Sequence, residues 1–167
     1  MKHALAARKP KSKKTPGPFK ESKAAGAGFM ASYLVRAQAK GAAPSHSQQQ
    51  VIQVIRAGLP FKELEALRSR LGLAMDKLAR KIGLSRATLH RRKAEGRLAA
   101  GESDHVLRFA RILRLAIGVF EDEDYARRWL TSPQHGLGGA IPLDYAETEV
   151  GAHEVENLLG RIEYGVY

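Results

Sequence analysis

The sequence contains no cysteine, which excludes a disulfide framework and a thiolate metal site and suits a reducing compartment. No apolar run approaches the roughly 18 residues that a membrane helix needs. The charged N-terminal stretch also has no continuous apolar segment of the secretory kind, so a cytoplasmic protein is expected. No stretch alternates apolar and polar residues at period two; strands are not expected, and the fold class is read as all-α. No internal repeat is visible. Acidic residues are nearly missing from the front of the chain, with one against ten Lys and Arg in residues 1–50.

What is present is enough for a core: 167 residues, 44% hydrophobic, can make one or two small domains. The net charge of +11 is uneven, at +9 for residues 1–50, +7 for 51–110 and −5 for 111–167. A basic front and middle favour a polyanion, and nucleic acid is the usual one because each neutralised phosphate releases counterions. The acidic last third requires a different partner. Residues 1–48, with Lys9-Pro10-Lys11-Ser12-Lys13-Lys14 and Pro16-Gly17-Pro18, read as a basic, disordered arm that cannot bury enough apolar surface to offset its ordering entropy. Within it, Tyr33, Leu34 and Ala37 would share a face if residues 29–39 turned helical.

Helical spacing begins at Val51. Val51, Ile52, Val54 and Ile55 precede a Gly58-Leu59-Pro60 break; Leu64, Leu67 and Leu71 run to Gly72; Met75, Leu78, Ala79 and Ile82 run to Gly83. Ser85 is a suitable N-cap for a helix from Arg86 to about Glu95, closed by Gly96. Ser103 is expected to open a longer helix whose stripe is Val106, Phe109, Ala110, Leu113, Ile117 and Phe120. A shorter helix is expected from Asp122 to Leu130 and loop from Ser132 to Leu143. Thr148 is expected to cap a last helix with Val155, Leu158, Leu159 and Ile162 inward. The expected division is an arm over 1–48, a DNA-binding domain over 49–100 and a second helical domain over 101–167.

Residues 75–93 have the spacing of a helix-turn-helix: small Ala79 permits close approach, Gly83 allows a tight turn, and Ile82, Leu84 and Leu89 set the crossing. The helix after Ser85 carries Arg86, Arg91, Arg92 and Lys93 with Thr88 and His90. Its N-terminal residues are those such a motif lays in the major groove. Arg86, Thr88, His90 and Arg91 are assigned to the reading face, and Ser85 and Lys93 to phosphates. Helix-turn-helix geometry also occurs in proteins that never touch DNA, but the basic density favours DNA here. A two-fold homodimer on palindromic operator DNA is the expected arrangement.

The stretch Arg91-Arg92-Lys93-Ala94-Glu95-Gly96-Arg97-Leu98, with Glu102-Ser103-Asp104 and Arg108 after it, resembles the junction of Xre-type antitoxins of RES/Xre toxin-antitoxin pairs, the Xre/MbcA/ParS group. Further on, several motifs are similar to that family's toxin-binding domain in order and spacing: Trp129-Leu130, Pro133, Leu137-Gly138-Gly139, Pro142-Leu143-Asp144, Thr148 to Ala152, and Leu158 to Val166. The resemblance implies an antitoxin that represses its own operon and masks a RES-domain toxin, an enzyme similar to ADP-ribosyltransferases that depletes NAD. It further implies that the C-terminal segment covers the toxin's active-site opening. That role falls on Leu158, Arg161, Ile162, Glu163, Tyr164, Gly165, Val166 and Tyr167, with a terminal aromatic and carboxylate placed to plug a pocket. The basic arm before Val51 stands outside the resemblance.

Charge supports the same division. A toxin that binds a dinucleotide anion would offer a basic pocket, which Glu149, Glu154, Glu156 and Glu163 would complement. Spacing alone leaves open that Tyr164, Val166 and Tyr167 fray or pack on their own domain. No catalytic constellation stands out. The Gly136-Leu137-Gly138-Gly139 piece lacks the strand and helix of a nucleotide loop, and His153 near Glu156 and Asn157 reads as surface pairing rather than a metal site. Neither enzyme activity nor a cofactor is expected. The rival reading is a plain dimeric helix-turn-helix regulator without a toxin partner.

Overall fold

The computed structural model describes Gly28 and residues 47–166. The arm expected over 1–48 therefore lies outside the described residues apart from Gly28 and its last two positions, as do the helical piece over 29–39 and Tyr167. Among the described residues the fold is all-α, with no strand and two isolated bridges, Pro60 to Arg97 and Gln134 to Ala140. No helix among them is long and apolar enough to cross a membrane.

Helix α1 spans Gln48–Ala57. Ser47 caps it reciprocally with Gln50: the Gln50 amide donates to Ser47 Oγ at 3.2 Å and the Ser47 amide to Gln50 Oε1 at 2.8 Å. Helices α2 (Phe61–Leu71), α3 (Met75–Lys81) and α4 (Arg86–Glu95) follow with short joints. They bury Phe61, Leu64, Leu67, Leu71, Leu78, Ala79, Ile82 and Leu89, which are the residues that helical spacing turns inward.

The long helix α5 spans Ala100–Phe120. Ser103 does not open it. The helix begins a turn earlier, and the Glu102 carboxylate accepts from the Ala99 amide at 2.7 Å. Ser103 is instead fully buried, donating to the Ala99 carbonyl at 2.8 Å and accepting from the Leu59 amide at 2.8 Å. The Leu59 carbonyl in turn accepts from the Leu98 amide at 2.8 Å, and the Arg97 guanidinium donates to the carbonyls of Ala57 and Gly58. The joint between α1 and α2 is thus bonded to the joint between α4 and α5, which satisfies backbone groups that burial would otherwise leave unpaired.

The second half of α5 buries Ile112, Leu113, Ala116 and Ile117 against α6 (Glu123–Thr131) and α8 (Glu149–Tyr164). Asp122 caps α6 through the Tyr125 amide at 2.6 Å, and Thr148 caps α8 through the Gly151 amide at 3.1 Å. Residues 132–143 are not loop throughout: a 3-10 turn, His135–Leu137, is folded onto α8, and Pro142 starts the short helix α7 (Pro142–Tyr145).

Ser103→Ala would leave the Leu59 amide buried without an acceptor. The expected result is a loss of about 1–3 kcal/mol of unfolding free energy, seen as a lower urea midpoint at unchanged slope. An unmoved midpoint would mean that this bond does not hold the joint.

Candidate nucleic-acid interface and partner-binding helix

The turn between α3 and α4 is closed by Gly83, whose φ of 76° lies in the left-handed region, with its amide on the Arg80 carbonyl at 3.0 Å and the Leu84 amide on the Ala79 carbonyl at 2.8 Å. Ser85 Oγ caps α4 by accepting from the Thr88 amide at 3.1 Å, and the two hydroxyls lie 2.9 Å apart. Ser85 remains exposed, and Thr88 is half-buried. Arg86, His90, Arg91 and Lys93 are all exposed. Arg86, His90 and Lys93 fall on one stripe at i, i+4 and i+7, with Arg91 beside it. The small Ala87 and Ala94, exposed between them, leave this face without apolar bulk.

Not every cation of α4 points outward. Arg92 Nε donates to both oxygens of Glu102, at 2.8 and 2.9 Å, and its Nη1 donates to Glu95 at 2.7 Å, so it binds α4 to α5. Arg86 meets Asp76 of α3 at 3.0 Å, but both groups are largely in solvent and the pair is weak. Two cations that the sequence reading did not single out, Lys77 and Arg80, are exposed on α3. Their outward placement follows from Leu78 and Ala79 facing the core, a signal available from spacing.

Lys81, next along α3, turns inward instead. Its ammonium pairs with Asp144 and, at 3.6 Å, with Glu147. Burial pushes it below the ordinary lysine range despite the neighbouring carboxylates. Arg70 of α2 meets Glu123 of α6 at 3.3 Å, and Arg127 of α6 donates to the Arg70 carbonyl at 2.8 Å. The helix-turn-helix is thereby bonded to the C-terminal helices.

Helix α8 is anchored by two arginines of α5. Arg108, only 9% exposed, donates to Glu149 at 2.6 Å, to the Glu147 carbonyl at 3.0 Å and to Asp104 at 3.2 Å. Arg111 donates to Glu156 at 2.5 Å and to Glu149 at 2.9 Å. Two of the four acids expected to face a partner's basic pocket, Glu149 and Glu156, are thus spent inside the molecule. Glu154 and Glu163 remain exposed. His153 sits 3.5 Å from both Glu149 and Glu156, as surface pairing.

At the end of α8 the sequence-expected residues divide. Leu158 is 8% exposed and packs against Gly136, in the core. Ile162 is half-buried, whereas Arg161 and Glu163 are exposed, Tyr164 is 80% exposed and Val166 61%. Gly165, with φ 67°, closes the helix: its amide bonds the Ile162 carbonyl at 3.2 Å, and the Val166 amide bonds the Arg161 carbonyl at 2.9 Å. This double bond pattern sets the direction in which the chain leaves the helix.

The sequence of the helix-turn-helix half, residues 50–111, matches the Antitoxin Xre-like helix-turn-helix domain, and residues 115–165 match the Antitoxin Xre/MbcA/ParS C-terminal toxin-binding domain. Antitoxin Xre of Photorhabdus laumondii is 32% identical over 125 residues, which cover 74% of this chain and 84% of that protein. Antitoxin Xre of Yersinia enterocolitica is 32% identical over 119 residues, 70% of this chain and 80% of its own length. The chain belongs to the Xre antitoxin family.

In this Xre antitoxin the two matched stretches adjoin inside α5, so one helix serves both. The arginines that seat α8 stand close to that junction. Hydrogen bonding from Arg111, and then from Arg108, holds the Glu149 carboxyl below its ordinary value of 4.5. A depressed carboxylate contributes stability above its ordinary pKa and loses it as pH falls through the lowered one. Glu149→Gln is therefore expected to be less stable than the parent chain at pH 7, with the difference closing as pH drops below about 4.5. Unfolding curves recorded from pH 7 to pH 3 check this, and a difference that stays constant would refute it.

Proposed function

We propose that this antitoxin neutralises a RES-domain, NAD-depleting toxin by covering its active-site opening with Arg161, Ile162, Glu163, Tyr164, Gly165, Val166 and Tyr167, while Leu158 anchors the helix beneath them. The observation that carries this reading is the exposure of Tyr164 and Val166 at the capped end of α8, the last turn of a stretch, residues 115–165, that matches a toxin-binding domain. An exposed tyrosine supplies apolar area and a hydroxyl at little entropic cost, as interface anchors do. Glu154 and Glu163, unlike Glu149 and Glu156, are available to complement a pocket built for a dinucleotide anion.

The same protein, in this reading, acts in the cytoplasm as a homodimer on a palindromic operator and represses its own operon. Helix α4 enters the major groove, where Arg86, Thr88, His90 and Arg91 read base edges and Ser85 and Lys93 hold phosphates. Lys77 and Arg80 add phosphate contacts from α3, the helix that crosses the backbone in such motifs.

Two measurements test the two halves. Cells expressing the neighbouring gene are expected to grow with the full chain and to stop with a version ending at Gly160, at matched protein levels; a harmless neighbour would leave the plain regulator as the better reading. Gly165→Ala, which strains a Cβ in a left-handed position by about 1–2 kcal/mol, should loosen the last turn of α8 and weaken neutralisation; growth rescue equal to that of the full parent chain would count against the capped tail.

On operator DNA, Arg91→Ala is expected to cost about 1–3 kcal/mol and relax preference at its base pair. Lys93→Ala should weaken all sequences alike and lower the salt slope by about one. Equal losses on operator and random DNA for Arg91→Ala would remove it from base readout.

A further inference from the structure

Helix α8 carries more exposed apolar surface than its tail alone explains. Among the described residues the exposed large hydrophobics are Ile52, Tyr125, Tyr145, Val150, Tyr164 and Val166, and four of these six lie on or beside α8. Single exposed apolar residues mean little on a protein surface. Their alignment here is more informative. Val150, Glu154, Asn157, Arg161 and Tyr164 follow one another at i, i+4, i+7, i+11 and i+14, which places them on one stripe of the helix, and all five are exposed. The opposite side, Ala152, Val155 and Leu159, is buried.

The stripe has an apolar anchor at each end. Tyr164 and Val166 form the far one. Val150, 76% exposed in the first turn, forms the near one, and Tyr145 lies at the same end because the absence of a side chain on Gly151 lets the Tyr145 carbonyl pack against α8. At 1.5 Å per residue, Val150 and Tyr164 stand about 21 Å apart. Between them lie Glu154, Asn157 and Arg161, polar groups of both signs. On the flank, the carboxylates of Glu149 and Glu156 already pair with Arg108 and Arg111.

Resting on the toxin-neutralising reading, we infer that α8 grips the toxin along its whole outer stripe, with the Val150 end as a docking anchor distinct from the Tyr164 end that covers the active site. The toxin is the occupant because Val150 and Tyr164 both fall within the stretch that matches a toxin-binding domain and the stripe runs on into the tail assigned above to the toxin. Docking and inhibition are then separable. The near end contributes affinity, and the far end blocks the substrate.

The test uses the full chain and the purified product of the neighbouring gene, with binding and NAD consumption measured separately. Val150→Asp is the informative variant: an acid in the first turn of a helix suits the helix dipole, so the fold is expected to keep its melting temperature while a desolvated apolar contact becomes a charge. The dissociation constant should rise about tenfold to a hundredfold, yet NAD consumption should still fall to zero at saturating antitoxin. The version ending at Gly160 should show the reverse, retaining binding through the near end while NAD consumption continues.

An unchanged dissociation constant for Val150→Asp beside a wild-type chain that binds and inhibits would overturn the docking anchor and leave the plug reading intact. A wild-type chain that neither binds nor inhibits would remove both. A changed sedimentation of the antitoxin alone, with toxin affinity unmoved, would assign the stripe to self-association and also overturn the inference.

Discussion

The position of α8 is decided by the guanidinium of Arg108, buried near the middle of α5. A cation withdrawn from water must keep its partners, because a buried charge left without them is costly. Arg108 has no tolerance for a sliding neighbour. Its donors reach one carboxylate on its own helix, one at the start of α8 and a backbone carbonyl just before it. Arg111, one turn on, fixes the rotation of α8 through Glu149 and Glu156. With translation and rotation both set, the side of α8 that faces solvent is no longer negotiable, and neither is the direction in which Gly165 sends the chain onward.

Local chemistry was legible in the sequence, and long-range pairing was not. Ser85 and Thr148 cap the helices expected of them, Gly83 supplies the turn, and Leu64, Leu67, Leu78 and Leu113 lie in the core, because cap and period are properties of residues a few positions apart. Ser103 had the same local credentials as Ser85. Its actual partner is an amide 44 residues earlier, on Leu59, which no spacing rule reaches.

The acids of α8 repeat the lesson. From composition, Glu149, Glu154, Glu156 and Glu163 are all expected to complement a partner's basic pocket; in the fold, arginines about forty residues away on α5 claim two of them and leave the others outside. Leu158 adjoins the tail in sequence but packs inward, into the space that the absent side chain of Gly136 leaves. The cations of α3 show how thin the local margin is: Lys77 and Arg80 face solvent, while Lys81, one residue beyond Arg80, is drawn to Asp144 and Glu147.

Helix α5 is where the two halves of this antitoxin cease to be modules. The stretches matched as helix-turn-helix and toxin-binding domain meet between residues 111 and 115, within an unbroken helix that buries Val106 and Ala110 before that junction, Leu113 in it, and Ala116 and Ile117 after it. A cut there would not release two folded parts; each fragment would keep half a helix and a torn core. A nick in α5 is therefore expected to disturb the helix-turn-helix half and the toxin-binding half together.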